Sequence, residues 1–448
     1  MTEEWVGLTN TRLQHAVGQG FFHTAELHEG STLRLRYVYD CGAMTKYQVA
    51  RSNCIKEHIK SVGARSKLDL LFISHVHADH LNGLTQLLDS KKGVAVDTIV
   101  LPFFNVADRL IAYARDAIED PATLLDDFYR EFVIDPTTAL SGFRPRQILF
   151  MVPGGPDSPG APDLDGGRPE GPDGYDIQGL RDEKGQVTWK PLGRGWINSP
   201  NGRPRAESAL PGPIVATLPD SVGLVSPSID PNLGLWLLSP FVDPAVDAQQ
   251  AVFFRALLKA LNHGVSAKAK MKAAALKPWL AVPANLRDLV TNRTGDLTQA
   301  YSTVSKNLNI TSMCLYSGPL PDGIVRPEGH YGTFGIWNAQ GKGGIAWLGT
   351  GDAALKEKAR RRRFLAHYRK LLDEVVTLTV PHHGSEGNFD AELLTKIDPS
   401  FCIVAADAIG TWRHPGTAVV QAVASHGLFL SVVTSDTKSC VREEVMIG

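Results

Sequence analysis

The stretch LDLLFISHVHADH, residues 68–80, joins a nearly unbroken apolar run to three imidazoles and a carboxylate packed into six positions. An apolar run this short suits a strand buried on both faces of a sheet. The polar cluster then falls where the strand ends. Residues two apart on extended chain point the same way, so His75 and His77 can grip one ion. Asp79 and His80, where the backbone turns toward a helix, can face a second. Imidazole nitrogen and carboxylate oxygen are the donors that borderline divalent metals prefer. Only 14 histidines occur in 448 residues, so three in this one turn is a local pattern and not an effect of composition.

Outward from this segment the chain alternates strands and helices, an α/β pattern. Upstream, residues 21–27 and 33–39 read as a hairpin around Glu29-Gly30-Ser31, ending in Asp40-Cys41-Gly42. A helix is expected at 46–62 and the start of another at 84–88. Downstream, strands are expected at 98–103 and 147–152, with helix at 107–133. Residues 153–240 are dense in Pro, Gly and Asp and read as loop-rich or partly disordered. Residues 244–307 turn Ala-, Leu- and Lys-rich and read as helix. Strands return at 311–316, 332–337, 344–348, 375–380, 401–405 and 428–433, with helices at 353–372 and 416–425. The expectation is a single domain over 1–448, with its core in 14–104 and 308–440 and a large insertion at 105–307.

Three further segments carry chemistry. They are Leu348-Gly349-Thr350-Gly351-Asp352, Val380-Pro381-His382-His383-Gly384-Ser385 and Arg413-His414-Pro415-Gly416. Each follows or neighbours an expected strand.

Together these segments resemble the metallo-β-lactamase superfamily, whose signature is HxHxDH. The order of an Asn/Ser strand at 309–316, then TGD, then HHGS, then His-Pro most resembles the β-lactamase-like domain of the ComEC-type competence proteins. The resemblance covers roughly 14–100 and 305–435 and excludes the insertion. It implies an αββα sandwich, an α+β architecture with the metal site on loops at one edge. It also implies two divalent ions, zinc first and manganese as the alternative. His75 and His77 would hold the first ion, Asp79 and His80 the second, and Asp352 would bridge them. His382 is the expected ligand of its pair. Asp79, His383 and His414 are the expected catalytic residues, His414 serving also as a ligand. The implied reaction is hydrolysis of a phosphodiester, as in a nuclease, by a hydroxide held between the ions. The chain departs from the competence domains at His77, where those often carry Asp, and at Gly18-Gln19-Gly20-Phe21. It also lacks a clear equivalent of the His that many relatives place between the first motif and TGD.

Composition sets broader bounds. The chain is 43% hydrophobic and 21% charged with a formal net charge of −1, so overall charge gives no sign of nucleic acid and such binding must come from a local patch. Lys356, Lys358, Arg360, Arg361, Arg362 and Arg363, just after Asp352, form the expected patch; a solvated helix face is the plainer reading. Five scattered cysteines lack a pairing pattern and fit reduced thiols. No signal peptide and no membrane-length apolar run are apparent, which makes a cytoplasmic location the expectation. His15, His23, His28, His58, His263, His330, His367 and His426 have no motif around them and read as ordinary histidines. Two other functions fit the same ligands: hydrolysis of a small ester, thioester or cyclic nucleotide under a lid formed by the insertion, or a regulatory subunit that docks a protein partner through it.

Overall fold

The computed structural model describes residues 7–154, 167–171, 177–182, 185–198, 212–230, 233–244, 247–304, 311–320, 330–333, 344–407 and 413–447. Within them the chain is a mixed α/β structure with two mixed sheets.

The first sheet runs in the order His330–Thr333, Val441–Ile447, Leu8–Gln14, Gly20–Glu29, Thr32–Ala43, Lys67–Phe72, Ala95–Pro102, Gln147–Val152 and Ile214–Pro219. Its first five strands pair antiparallel; from Thr32–Ala43 onward the pairing is parallel. The second sheet runs Phe429–Val433, Phe401–Ala405, Val375–Thr379, Ala346–Gly349, Ser312–Pro319, Leu235–Asp243, Gly223–Pro227 and Lys190–Leu192. Here the first four strands are parallel and the rest antiparallel. The hairpin register, Glu29 opposite Thr32, places the turn at Gly30-Ser31 as the sequence suggests.

One apolar core lies between the sheets. Tyr37, Tyr39, Leu70 and Phe72 from the first meet Trp236, Met313, Leu315 and Trp347 from the second. Polar atoms trapped there are paired across the gap: Tyr37 Oη donates to Ser317 Oγ at 2.9 Å and Tyr39 Oη to the Met313 carbonyl at 2.5 Å. The ring of His23 stacks on Trp347 with centroids 4.1 Å apart. A second core covers the outer face of the first sheet, beneath helices that include Gln48–Val62, Val106–Glu119, Asp127–Ile134 and Pro283–Asn292. A third covers the outer face of the second sheet beneath Lys358–His367 and Thr417–Ser425. Helices thus flank a pair of stacked sheets, each element burying its apolar face.

Several expected boundaries move. Strands Gln147–Val152 and Ile214–Pro219 extend the first sheet, and Lys190–Leu192, Gly223–Pro227 and Leu235–Asp243 extend the second, all within the stretch read as an insertion. Gln147–Val152 was expected as a strand, whereas the surrounding Pro- and Gly-rich text concealed the others: Ile214–Pro219 is an edge strand, Leu235–Asp243 is paired on both sides with a proline inside it, and both lie among turn-forming residues. Leu8–Gln14 and Val441–Ile447 likewise belong to the first sheet. The helix expected at 107–133 breaks after Glu119, because Asp120-Pro121 cannot continue it and Asp126 caps a new helix at Asp127. The helix expected from 353 starts at Lys358. The strand expected at 332–337 is present as His330–Thr333; residues 334–337, like Asn309 and Ile310, lie outside the described residues.

Parallel strands from both sheets send their carboxyl ends to one side. Such ends are where open α/β sheets place ligands, because the following loops diverge there.

Candidate metal centre

Strand Lys67–Phe72 ends buried, and the chain then runs irregularly through Ser74, His75 and His77 into the short helix Ala78–Leu81. Strand Ala346–Gly349 of the other sheet leads into Thr350-Gly351-Asp352. Thr350 locks onto its parallel neighbour, its Oγ1 donating to the Thr379 carbonyl at 2.6 Å and its amide to Thr379 Oγ1 at 3.0 Å. Ser312 Oγ accepts from the Asp352 amide at 3.1 Å. Strand Val375–Thr379 delivers His382 and His383. Both hold left-handed backbone, φ 50° and 55°, ahead of Gly384 at 77°. For a non-glycine residue that conformation costs about 1–3 kcal/mol, so it persists only where neighbours fix it. Here the His382 amide donates to the Gly351 carbonyl at 2.9 Å, and the Gly416 amide to the Gly384 carbonyl at 2.9 Å.

These loops converge. His75 Nε2 and His382 Nε2 each lie 3.3 Å from Asp352 Oδ2, and His80 Nε2 lies 3.7 Å from Asp352 Oδ1. His383 Nε2 lies 3.3 Å from Asp79 Oδ2, and His80 Nε2 3.8 Å from Asp79 Oδ1. Three triads have ligand atoms close enough to share an ion: His75, His77 and Asp79; His75, His80 and Asp352; Asp79, His80 and His383. Donors about 2.1 Å from a tetrahedral metal are roughly 3.4 Å apart, which is the spacing seen here. The Nε2 atoms of His75, His77 and His80 are buried and form no hydrogen bond among the described residues. Buried polar atoms are rarely left so. An N/O donor set with unspent ring nitrogens fits a divalent cation such as zinc or manganese.

The far sides of the rings are held. Asp40, fully buried, accepts from His80 Nδ1 at 2.8 Å and from the amide and hydroxyl of Ser74, each at 2.6 Å. His383 Nδ1 donates to the Ala405 carbonyl at 2.8 Å, and His75 Nδ1 meets Ser74 Oγ at 2.9 Å. Each contact turns Nε2 toward the centre, as outer partners of metal-binding histidines do. Burial alone would raise both central carboxyls. The facing imidazoles outweigh it, so His382 and His75 hold Asp352, and His80 and His383 hold Asp79, below the usual carboxylate range. Burial and the neighbouring His80 push His75 down to about 3, whereas Asp40 and Asp79 overcome burial and lift His80 to about 9.

Of the residues expected at the site, His75, His77, Asp79, His80, Asp352, His382 and His383 come together. His383, expected as a catalytic residue, lies in a candidate triad; His382, expected as the ligand of the pair, contacts Asp352 and is in none of the three triads. His414 lines the same cavity with its ring 6.3 Å from that of His382 and also completes none. The expected cationic patch is smaller than its text suggests. Arg360 is buried against Asp243 at 2.7 Å, and Arg361 against Glu392 at 2.8 Å and Asp390 at 3.1 Å, so both brace the fold. Lys356, Lys358, Arg362 and Arg363 stay exposed. No described helix is long and apolar enough to cross a membrane.

No family model matches the chain. Short stretches are similar to known proteins. Ribonuclease Z of Listeria innocua is 46% identical over 55 residues, 12% of this chain and 15% of that protein. ComE operon protein 3 of Bacillus subtilis is 29% identical over 86 residues, 19% of this chain and 10% of that protein. Ribonuclease Z of Listeria welshimeri is 36% identical over 74 residues, 16% and 20% of the two chains. The chain therefore spans a fifth or less of the length of these relatives.

Four contributors had no sequence signal that marked their role. Asp40 was visible only as the end of a hairpin. Arg115, Asp116 and Glu119 reach the cavity from helix Val106–Glu119, where they read as ordinary surface charges.

Gly42 makes the close approach possible. A Cβ there would sit 2.5 Å from the carbonyl carbon and oxygen of Asp79 and 2.6 Å from the His80 nitrogen. Gly42→Ala is expected to push the Asp79-His80 backbone out of place, costing about 1–3 kcal/mol and lowering the metal bound per chain. Thermal melts and elemental analysis check both; wild-type values in each would contradict the packing described.

Proposed function

We propose that this chain is a metal-dependent phosphodiesterase of the metallo-β-lactamase type that acts on nucleic acid. The observation that carries the reading is the convergence of His75, His77, Asp79, His80, Asp352 and His383 from separate loops, with buried ring nitrogens left unspent. The layered sheets, with the cluster at the carboxyl ends of parallel strands, support the fold assignment. The similarity of short stretches to proteins named ribonuclease Z supports RNA or a related polymer as substrate.

In this reading His75 and His77 would hold one ion, Asp79, His80 and His383 would hold another, and Asp352 would serve as a shared carboxylate ligand. Divalent ions there lower the pKa of water from 15.7 toward about 7 and offset charge growing on phosphate oxygens. The chain's own part is to fix geometry. Asp40, Ser74 and the Ala405 carbonyl set which ring nitrogen faces the centre. His382 and His414 line the cavity beside it, placed to meet the oxygens of a bound phosphoryl group.

A smaller substrate is the second reading, since the cavity beside the cluster is walled by helix Val106–Glu119 as well as by the loops that carry the candidate ligands.

Elemental analysis together with assays on DNA, RNA and bis-p-nitrophenyl phosphate tests the proposal. Wild type should carry two ions and cleave a polymer, and Asp79→Ala should lose at least 100-fold in rate. Cleavage of the small diester alone favours the second reading; equal rates in the two proteins overturn both.

A further inference from the structure

The wall that helix Val106–Glu119 adds to the cavity carries one cation among acids. Each acid is already engaged. Asp116 Oδ2 accepts from the Ala78 amide at 3.0 Å and from Tyr129 Oη at 2.5 Å. Asp120 accepts from the Thr45 amide at 2.6 Å, and Glu119 accepts from Arg115 Nε at 2.7 Å. Arg115 is different. Its side chain is 16% exposed and lines the cavity with His77, Asp79, Asp352 and His382. Of its five N–H groups, one serves Glu119, and one Nη2 approaches His382 Nε2 at 3.5 Å. The remainder bond to none of the described residues.

A fixed cation at this point is a cost to a metal centre, since it repels the ions. A guanidinium is tolerated beside cations when an anion lies between them and is shared by both, and its planar fork suits two oxygens of a phosphate. Glu119, one helical turn further along, keeps the fork from swinging away.

We propose that Arg115 binds the non-bridging phosphate oxygens of the substrate and so selects phosphoryl over neutral acyl esters at this centre. The inference rests on the metal centre and deepens the phosphodiesterase reading. It makes the segment outside the competence-like resemblance a part of substrate recognition.

The test uses metal-loaded full chain, inorganic phosphate as competitor, and two chromogenic substrates, bis-p-nitrophenyl phosphate and p-nitrophenyl acetate. In Arg115→Met the inhibition constant of phosphate should rise at least tenfold. The preference for the phosphodiester, as a ratio of kcat/KM values, should fall at least tenfold, mainly through KM. Arg115→Lys should fall between, since it keeps charge and loses the fork. Glu119→Gln should shift both readouts the same way by a smaller factor, and it decides the matter if Arg115→Met does not fold. Unchanged phosphate inhibition in these variants, or an equal loss on both substrates, overturns the role of Arg115 and leaves the phosphodiesterase reading standing. A wild type that cleaves no phosphodiester, yet is inhibited by phosphate through Arg115, overturns that reading and supports the anion site.

Discussion

Asp352→Asn is expected to abolish metal-dependent hydrolysis while leaving the metal-free fold in place. The carboxylate lies within 3.3 Å of two imidazoles and 3.7 Å of a third, and the Thr350–Thr379 contacts position its backbone independently of its charge. Asn keeps the volume and loses the anionic oxygen a cation needs. Losing a residue that merely supports a ligand costs about 10–100-fold in metal affinity or activity, so loss of a central ligand should exceed about 100-fold. The melting profile separates this from a structural role. Wild type should gain stability on adding zinc or manganese, about 2.7 kcal/mol at a hundred times the dissociation constant. Asp352→Asn should melt near wild type without metal and gain little with it. A variant with full metal-induced stabilisation would contradict the assignment.

Asp40 is expected to matter almost as much without touching an ion. Three donors depend on its carboxylate, two from Ser74 and one from His80, and all are buried. Asp40→Ala strands them and leaves His80 without its partner. Breaking such a buried pair costs about 3–5 kcal/mol, so the variant should melt far below wild type. Asp40→Asn keeps the size and loses the charge. It should fold better than Asp40→Ala and still bind metal about 10–100-fold more weakly, because His80 loses the group that orients it. Thermal melts with metal titration check both variants. Equal metal affinity in Asp40→Asn and wild type would remove Asp40 from the site.

The two residues illustrate what the sequence makes legible. Asp352 stands out because its Thr-Gly-Asp text directly follows an apolar strand, with the paired-histidine turn thirty residues further on. The His75-to-His80 cluster is legible because candidate donors next to one another in sequence need no knowledge of the fold. Asp40 and His80 are forty residues apart, and only the parallel pairing of Thr32–Ala43 with Lys67–Phe72 brings them together. Arg115 is harder still. On its helix an Arg and a Glu four residues apart read as a solvated pair, and the cavity it faces exists only once the sheets stack. Periodicity found strands such as Lys67–Phe72, which is buried from Leu68 onward and leads into an apolar run. It passed over Ile214–Pro219 and Leu235–Asp243, short apolar runs set in Pro-, Gly- and Asp-dense text, although both strands pair in the sheets. That His383 joins a candidate triad while His382 meets Asp352 was also not legible, because two consecutive left-handed residues turn the rings apart and no spacing rule reports that.

Diffraction at the absorption edge of zinc or manganese, from crystals of the full chain grown with that metal, would locate any ions bound by these residues. Two peaks are expected, one beside His75 and His77 and one beside Asp79, His80 and His383, each about 2.0–2.2 Å from its ring nitrogens and carboxylate oxygens. Crystals of metal-saturated protein with no peak within reach of these residues would contradict the proposed metal centre.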